Sequence, residues 1–270
     1  MPQNNKIGLI AGGGNLPDKI ISYCIKTGRD IFVIAINDSR PENLEKVPHA
    51  NLSIGSVGKA IKKLKDENIE EIAFAGGLKR PDFKSLRPDA GGIRLLSQIS
   101  KAKLIGDSSL LNIIIKFFEK SGFKVIGADD VLGNLVINKG CLTNLEPDEK
   151  AMRDIALGAD TARRIGDMDI GQGVVIQDGV IIGVEAIEGT DKLIERCAEL
   201  KKSKGGVLVK MKKPSQDSRI DLPTIGVKTI ENANKAGLNG VAIESGSTIV
   251  LDRQKVIELA DSYNMFVVGV

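Results

Sequence analysis

The first half of the chain alternates short apolar runs with amphipathic segments, and this alternation restricts the fold more than any other feature. KIGLIA (6–11) reads as a buried strand, AGGGNLP turns the chain, and PDKIISYCIKTG (17–28) has helical periodicity ending at a glycine. The order repeats through DIFVIAIN, NLSIG, GKAIKKLKDEN, EEIAFAG, SSLLNIIIKFFEKSG and KVIGA. Strands alternating with helices of this length predict a Rossmann-like domain with a parallel sheet over residues 1–132.

The alternation stops near residue 133, and residues 133–146 are interpreted as a linker. A charged helix is predicted from about residue 148 to 165. GVVIQDGVIIGVEAI then predicts two strands joined by the turn Asp178-Gly179, and GVAIESGSTIVLD has the same form. A helical segment follows each pair, which indicates a weak duplication of hairpin plus helix. Residues 147–270 are therefore predicted to be a C-terminal α+β domain with strand hairpins.

Composition indicates a soluble globular protein that does not bind nucleic acid. Of 270 residues, 42% are hydrophobic and 27% charged, which is ordinary for a folded domain. The net charge of +3 and the aromatic content of 3% are both too low for a dedicated nucleic-acid-binding face.

Cysteine usage and the opening residues suggest a cytoplasmic location. Cys24, Cys141 and Cys197 form no CxxC pair, and two of them occupy apolar helical positions, so buried thiols in a reducing compartment are expected. The opening MPQNNK lacks a basic region, and no apolar run reaches the length of a bilayer span. Any membrane contact would be peripheral.

His49 is the single histidine, and a serine or cysteine nucleophile activated by histidine would have to use it. No acid or nucleophile is recognisable beside it, so a structural or surface role is favoured. The same count excludes a histidine-rich zinc site. Carboxylate, lysine, arginine and hydroxyl chemistry remains.

The turn AGGGNLP between a strand and a helix resembles a phosphate-binding loop, because glycines allow close backbone approach and a helix start offers N–H donors. Pro17 stands where a dinucleotide fold has its third glycine, which disfavours NAD. A plain tight turn is the alternative. Asp38, after the second strand, is either a ribose ligand or a turn residue. The predicted substrate-binding residues here are Gly12, Gly13, Gly14, Leu16 and Pro17.

EGTD (188–191) joins a strand to a helix. Thr190 reads as the N-cap of that helix, which is the structural interpretation. The same helix start would also bind an anion, with Glu188 or Asp191 available to a cation. Glu188, Gly189, Thr190 and Asp191 are therefore counted among candidate substrate-binding residues.

KPSQDSRIDLPTIG (213–226) concentrates charge in a segment stiffened by proline. Asp217 and Asp221 can supply the one or two carboxylates that Mg²⁺ takes from a protein, and Arg219 can bind phosphate oxygens. In GVLVKMKKP, alternation places Lys210 and Lys212 on one strand face, towards this loop. A salt-bridged surface loop explains the same residues equally well.

These segments together resemble the LpxI family of UDP-2,3-diacylglucosamine pyrophosphatases. The resemblance rests on QDSRIDLPTIG with GVLVK before it, EGTD, GLIAGGGNLP, AGGLKRP and GDSSLL, in order through nearly the whole chain. It implies hydrolysis of UDP-2,3-diacylglucosamine to UMP and 2,3-diacylglucosamine 1-phosphate (lipid X) in lipid A synthesis. It also implies a divalent metal, with Mg²⁺ expected and Mn²⁺ as the alternative, and a catalytic C-terminal domain.

By resemblance, Asp221 is the essential residue, which positions the metal or the water, and Asp217 is the second candidate metal ligand. The other catalytic residues are Arg219, Lys210 and Lys213, while Thr224 joins the substrate-binding set. Ser108 stands where many relatives have a second acid, which places a minor polar contact in doubt. Water is expected to attack the UMP-side phosphate.

The resemblance also implies a homodimer, a diacyl lipid substrate and peripheral contact with the cytoplasmic face of the inner membrane. LLNIIIKFFEK is apolar enough for an acyl groove, although helix packing is favoured. Two rivals are an NAD-dependent oxidoreductase and a non-catalytic protein that binds a nucleotide or phospholipid.

Overall fold

The computed structural model describes residues 6–37, 39–77, 86–101, 107–133, 136–201, 203–214, 216–219 and 222–270, with the backbone alone for 107–109. The chain forms two compact units. The first contains the described residues up to 133 together with 217–219, and the second contains the other described residues.

The first unit is built on a five-stranded parallel sheet, as predicted. Its strand order is β3-β2-β1-β4-β5, and every neighbouring pair is parallel. The strands are β1 (Ile7–Ala11), β2 (Ile31–Ile36), β3 (His49–Leu52), β4 (Glu71–Ala75) and β5 (Lys124–Ile126), and the helices are α1 (Leu16–Thr27), α2 (Val57–Asp66), α3 (Ala90–Lys101), α4 (Asp107–Lys120) and α5 (Ala128–Leu132).

One face of this sheet packs on α2, α3 and α4. Ile10, Ile34 and Ile72 point to that face and share a core with Leu64 of α2 and Phe118 of α4. Because β1 and β2 are buried along their whole length, they read as continuous apolar runs, which is typical of a parallel sheet covered on both sides.

The second unit is built on a mixed sheet of order β6-β13-β11-β9-β7-β8. Strands β9, β11 and β13 are parallel, and β6, β7 and β8 are antiparallel to their neighbours. In chain order the elements are β6 (Gly140–Cys141), α6 (Glu149–Asp167), β7 (Gly173–Gln177), β8 (Val180–Val184), α7 (Thr190–Leu200), β9 (Val207–Lys210), β10 (Thr224–Ile225), α8 (Val227–Lys235), β11 (Gly240–Ile243), β12 (Ile249–Val250), α9 (Arg253–Ser262) and β13 (Phe266–Gly269).

Helices cover both faces of the mixed sheet. Ile155 of α6 packs with Val209 of β9 on one face. Residues of α7, α8 and α9 pack with Leu208 and Val241 on the other. The predicted alternation along β9 is confirmed, since Val209 and Leu208 belong to different cores.

The first predicted hairpin is confirmed and the second is wrong. Strands β7 and β8 pair antiparallel through Asp178 and Gly179, both at positive φ, as an Asp-Gly turn requires. By contrast, β11 and β12 belong to different sheets, because β11 already has a parallel neighbour on each side and β12 pairs in parallel with β10. The proposed duplication of hairpin plus helix therefore does not exist.

Candidate functional site

The predicted site residues fall in both units. The glycine turn, Asp217 and Arg219 belong to the first unit, whereas Lys210, Lys213, Thr224 and the EGTD residues belong to the second. Asp221, the predicted central residue, and Asp38 lie outside the described residues.

The glycine turn after β1 packs against the turn after β4. The N–H of Gly12 donates to the carbonyl of Ala75, and Gly13 and Gly77 exchange two hydrogen bonds of 2.8 Å each. A Cβ on Gly12 would lie 2.7 Å from the carbonyl oxygen of Gly77. The close approach of the two backbones therefore explains why residue 12 is glycine. The N–H groups of Gly12 and Gly13, which were expected to bind a phosphate, instead donate to backbone carbonyls.

The rest of the turn leads into α1. Gly14 has φ +96°, and a Cβ there would meet nothing within 4 Å. Within the described parts of the chain, no acceptor takes a hydrogen bond from the backbone N–H of Gly14, Asn15 or Leu16. Pro17 is buried in the first turn of α1, where its missing N–H costs nothing. An anion at this helix start would meet these three donors.

Arg219 is fixed by two carboxylates. Its Nε and backbone N each lie 3.0 Å from Asp217 Oδ1, its Nη2 lies 2.7 Å from Asp217 Oδ2, and its Nη1 lies 2.6 Å from Glu119 Oε1. Hydrogen bonds to Asp217 and then to Glu119 raise the pKa of Arg219 further above its ordinary value. The guanidinium is therefore permanently charged and held in one plane.

Of the two predicted metal ligands, the described residues include only Asp217, and both of its carboxylate oxygens already accept hydrogen bonds from Arg219. Arg219 engages both oxygens of Asp217, so a cation bound to Asp217 would share an oxygen with a guanidinium. In the described ranges, no three His, Cys, Asp or Glu side chains come together as a metal-binding group. The fit to a divalent ion thus depends on Asp221.

The two predicted lysines of the second unit have partners. Lys210 ends β9 with 6% of its surface exposed, and its Nζ donates to the carbonyl of Thr224 at 3.1 Å. Lys213 Nζ lies 2.7 Å from Asp169 Oδ1. The structure therefore brings together Lys210 and Thr224, which are both predicted site residues.

Glu188 is held in place by hydrogen bonds. Its Oε1 accepts from Arg196 Nη2 at 2.9 Å, and its Oε2 accepts from the N–H of Ala186 at 3.1 Å. Hydrogen bonds from its own backbone and from Arg196 lower the pKa of Glu188, so it stays ionised.

The prediction that Thr190 is the N-cap of α7 is wrong. The N-cap is Gly189, at φ 79°, and Thr190 is the first helical residue. The Thr190 hydroxyl donates to Glu185 Oε1 at 2.8 Å. Asp191 pairs with Lys228 of α8 at 2.7 Å, so it links two helices.

Two of the three cysteines are buried as predicted, whereas His49 has an acid near it that the sequence did not reveal, since its Nε2 lies 3.8 Å from Glu45 Oε2. His49 lies on β3 with Nδ1 3.0 Å from the carbonyl of Val47. Cys24 and Cys197 are buried free thiols whose pKa values burial raises. Cys141 is a half-buried free thiol.

No helix among the described residues is both long and apolar enough to cross a bilayer.

Comparison with known proteins decides the family. The model of the LpxI N-terminal domain matches residues 6–135, and the model of the LpxI C-terminal domain matches residues 138–268. The chain belongs to the LpxI family. It is 42% identical, over 98% of its length and 97% of the relative's, to the UDP-2,3-diacylglucosamine pyrophosphatase LpxI of Caulobacter vibrioides.

Solved structures add nothing to the LpxI assignment. A CobK precorrin-6A reductase is 9% identical with a TM-score of 0.32, covering 97% of this chain and 98% of that one. An isoflavone reductase is 13% identical with a TM-score of 0.30, covering 98% of this chain and 78% of that one. TM-scores this low support no inference.

Three polar residues of this LpxI-family chain were not identified as site residues from the sequence. Glu119 anchors Arg219 from α4. Glu185 is 6% exposed, and within the described residues its Oε2 has no hydrogen-bond partner. Gln216 is 4% exposed, accepts from the N–H of Lys213, and has no described partner for its Nε2. The only available signals were a glutamate ending an apolar strand run and a glutamine inside the charged loop.

Proposed function

We propose that this chain hydrolyses UDP-2,3-diacylglucosamine to UMP and 2,3-diacylglucosamine 1-phosphate, a step of lipid A synthesis. The observation that carries the proposal is the 42% identity, over nearly the full length of both chains, to a protein named for this activity. Both domains of the family are present in order.

The charges of the loop suit a diphosphate substrate. A phosphoanhydride gains negative charge on its leaving oxygen as it is cleaved, and fixed cations stabilise that charge. Arg219 supplies a planar guanidinium that can contact two oxygens, and its plane is set by Asp217. Lys210 and Lys213 supply two further ammonium groups in the same motif.

The proposed reaction is attack of water on the UMP-side phosphorus. A new P–O bond forms from the water oxygen, and the bond to the bridging oxygen breaks. The bridging oxygen leaves with its electron pair on the lipid phosphate, and the water proton passes to solvent. The cationic residues would neutralise the leaving phosphate.

We propose a divalent metal as cofactor, with Mg²⁺ preferred and Mn²⁺ as the alternative. Asp221 would be its principal protein ligand, and Asp217 would orient Arg219 as well as face the ion. A bound ion of this kind neutralises phosphate charge and makes water more acidic.

Hydrolysis in ¹⁸O-labelled water tests the reaction and its direction together. The products would be separated and weighed by mass spectrometry. We expect one ¹⁸O in UMP and none in the lipid phosphate. An ¹⁸O label in the lipid phosphate would instead mean that water attacks the lipid-side phosphorus. No cleavage, in the presence of substrate binding, would favour a non-catalytic binding protein.

A further inference from the structure

The first unit contains an apolar cavity of about 130 Å³ that is partly open to solvent. Its walls come from β1, β2 and β4 and from α2, α3 and α4. Among the described residues that line it, the polar side chains are Ser53 and Ser56, and none is charged. Water inside would find few hydrogen-bond partners, so the cavity favours an apolar occupant.

The cavity lies at the carboxyl edge of the parallel sheet. Ile10 is next to the last residue of β1, Ile36 ends β2, and Phe74 is next to the last residue of β4; all three line the cavity. Open α/β sheets bind their ligands at this edge. The turn at Gly12 follows Ile10 by two residues, so a polar and an apolar feature occupy the same edge.

The side chains around the cavity are not all fully buried by packing. Phe117 and Phe118 of α4 are buried in the core, as helix packing predicts. In contrast, Leu96 and Ile99 of α3 and Ile114 of α4 line the cavity and are only half-buried. These apolar surfaces remain available to a ligand.

We propose that this cavity binds the end of a fatty acyl chain of the substrate. The inference rests on the proposed function, because that substrate carries two acyl chains. An engineered cavity of about 150 Å³ lined by Leu, Ile and Phe stays dry and binds benzene. By this comparison the cavity accepts about six carbon atoms, and its open side lets the rest of a longer chain lead out.

Chain-length dependence gives the first test. Substrates with successively longer acyl chains should gain about fourfold in kcat/KM per methylene that enters the cavity, and then level off. Leu96→Trp fills the cavity and should reduce the ratio of kcat/KM for long over short chains by at least about tenfold. The matched control is Ile93→Trp on the same helix, where the side chain is 58% exposed and outside the cavity, and its ratio should equal that of the wild type.

Fluorescence gives a second test that needs no turnover. The chain has no tryptophan, so the indole introduced by Ile99→Trp or by Ile93→Trp is the only one present. The probe is 2,3-diacylglucosamine 1-phosphate with bromine at the chain ends. Bromine in the cavity should quench the indole of Ile99→Trp and leave that of Ile93→Trp unchanged.

The outcomes separate this inference from the proposed function. Turnover with an unchanged chain-length ratio in Leu96→Trp, and with equal quenching in the two fluorescent variants, would overturn the acyl site and keep the enzyme. Selective quenching of Ile99→Trp without turnover would support the acyl site and overturn the enzyme.

Discussion

Arg219 donates two side-chain hydrogen bonds to Asp217, from Nε to Oδ1 at 3.0 Å and from Nη2 to Oδ2 at 2.7 Å. The remaining nitrogen, Nη1, reaches Glu119, which is 100 positions away in the chain. Since a guanidinium presents its donors in a rigid plane, this arrangement determines the direction in which Arg219 can meet a phosphate.

Arg219→Lys is expected to lower kcat/KM by about 100-fold or more, because lysine keeps the charge but cannot reproduce the planar contact. The measurement is steady-state hydrolysis of UDP-2,3-diacylglucosamine. The matched variant is Glu119→Gln, whose amide oxygen still accepts a hydrogen bond from Arg219, and we expect it to lose less than about tenfold. Equal losses in both variants would contradict a direct role for Arg219 at the substrate.

Asp221→Asn should lower the hydrolytic rate by about 100-fold to 1000-fold while substrate affinity changes little, because a group that acts on the transition state contributes mainly to kcat. Asp217→Asn should reduce the rate as well, through the orientation of Arg219. Metal titration separates the two, and the larger increase in metal requirement is expected for Asp221→Asn. A fully active Asp221→Asn would remove this residue from the site.

Asp89 joins the starts of two helices that line the cavity. Its carboxylate accepts from the N–H groups of Gly58 at 2.9 Å and Lys59 at 2.8 Å in α2, and of Gly92 at 2.8 Å in α3. Burial acts to raise its pKa, but these hydrogen bonds together prevail and lower it.

The lowered pKa of Asp89 predicts a pH effect on stability. Its contribution to the free energy of unfolding is complete above the ordinary aspartate pKa of about 3.9 and is lost as the pH falls through the lower folded value. In urea unfolding, the Asp89→Asn variant should therefore lose less unfolding free energy than the wild type as the pH falls from 5 into the acid range. Asp66→Asn, an exposed aspartate at the end of α2, should follow the wild type. A variant curve parallel to that of the wild type would argue against the lowered pKa.

Two neighbouring glycines should respond differently to alanine. In Gly12→Ala the new Cβ would lie 2.7 Å from the carbonyl oxygen of Gly77, which costs about 1–3 kcal/mol of unfolding free energy. In Gly13→Ala the nearest atom is 3.6 Å away, so we expect a change within about 0.5 kcal/mol. Thermal or urea unfolding measures both. Equal destabilisation would mean that the close approach of the two turns is not what requires glycine.

Much of the first unit could be predicted because its strands are buried on both faces and leave unbroken apolar runs. Helix α3 was not predicted. Its residues Gly91 and Gly92 are unfavourable in a helix interior, but both are buried, and a Cβ on Gly91 would clash with the backbone N of Gly58. The glycines are there because two helix starts meet, which local sequence does not reveal.

The second unit illustrates the limit of hairpin patterns. The Asp178-Gly179 turn was predicted correctly because it leads from β7 to β8, and β8 pairs antiparallel with the side of β7 that β9 leaves open and forms the edge of the sheet. Between β11 and β12 the residues ESGST look similar, but β11 lies inside the sheet with both sides occupied. Strand position in a sheet is a tertiary property, so the pattern alone gave the wrong pairing.

The candidate site was predicted as a set of residues and not as a set of contacts. The charged loop, Lys210 and the EGTD segment were identified from their chemistry and their resemblance to a family. The partners Glu119 and Asp169 come from helix α4 and from the turn after α6, far from the loop in sequence. The homodimer and the peripheral membrane contact stay predictions.

Phosphorus NMR of the purified protein with UDP-2,3-diacylglucosamine and Mg²⁺ tests the central claim most directly. We predict that the diphosphate signals are replaced by two phosphomonoester signals, those of UMP and 2,3-diacylglucosamine 1-phosphate. A chelator or Asp221→Asn should suppress the change. Diphosphate signals that persist with Mg²⁺ and with Mn²⁺ would contradict the assignment of this chain as a pyrophosphatase.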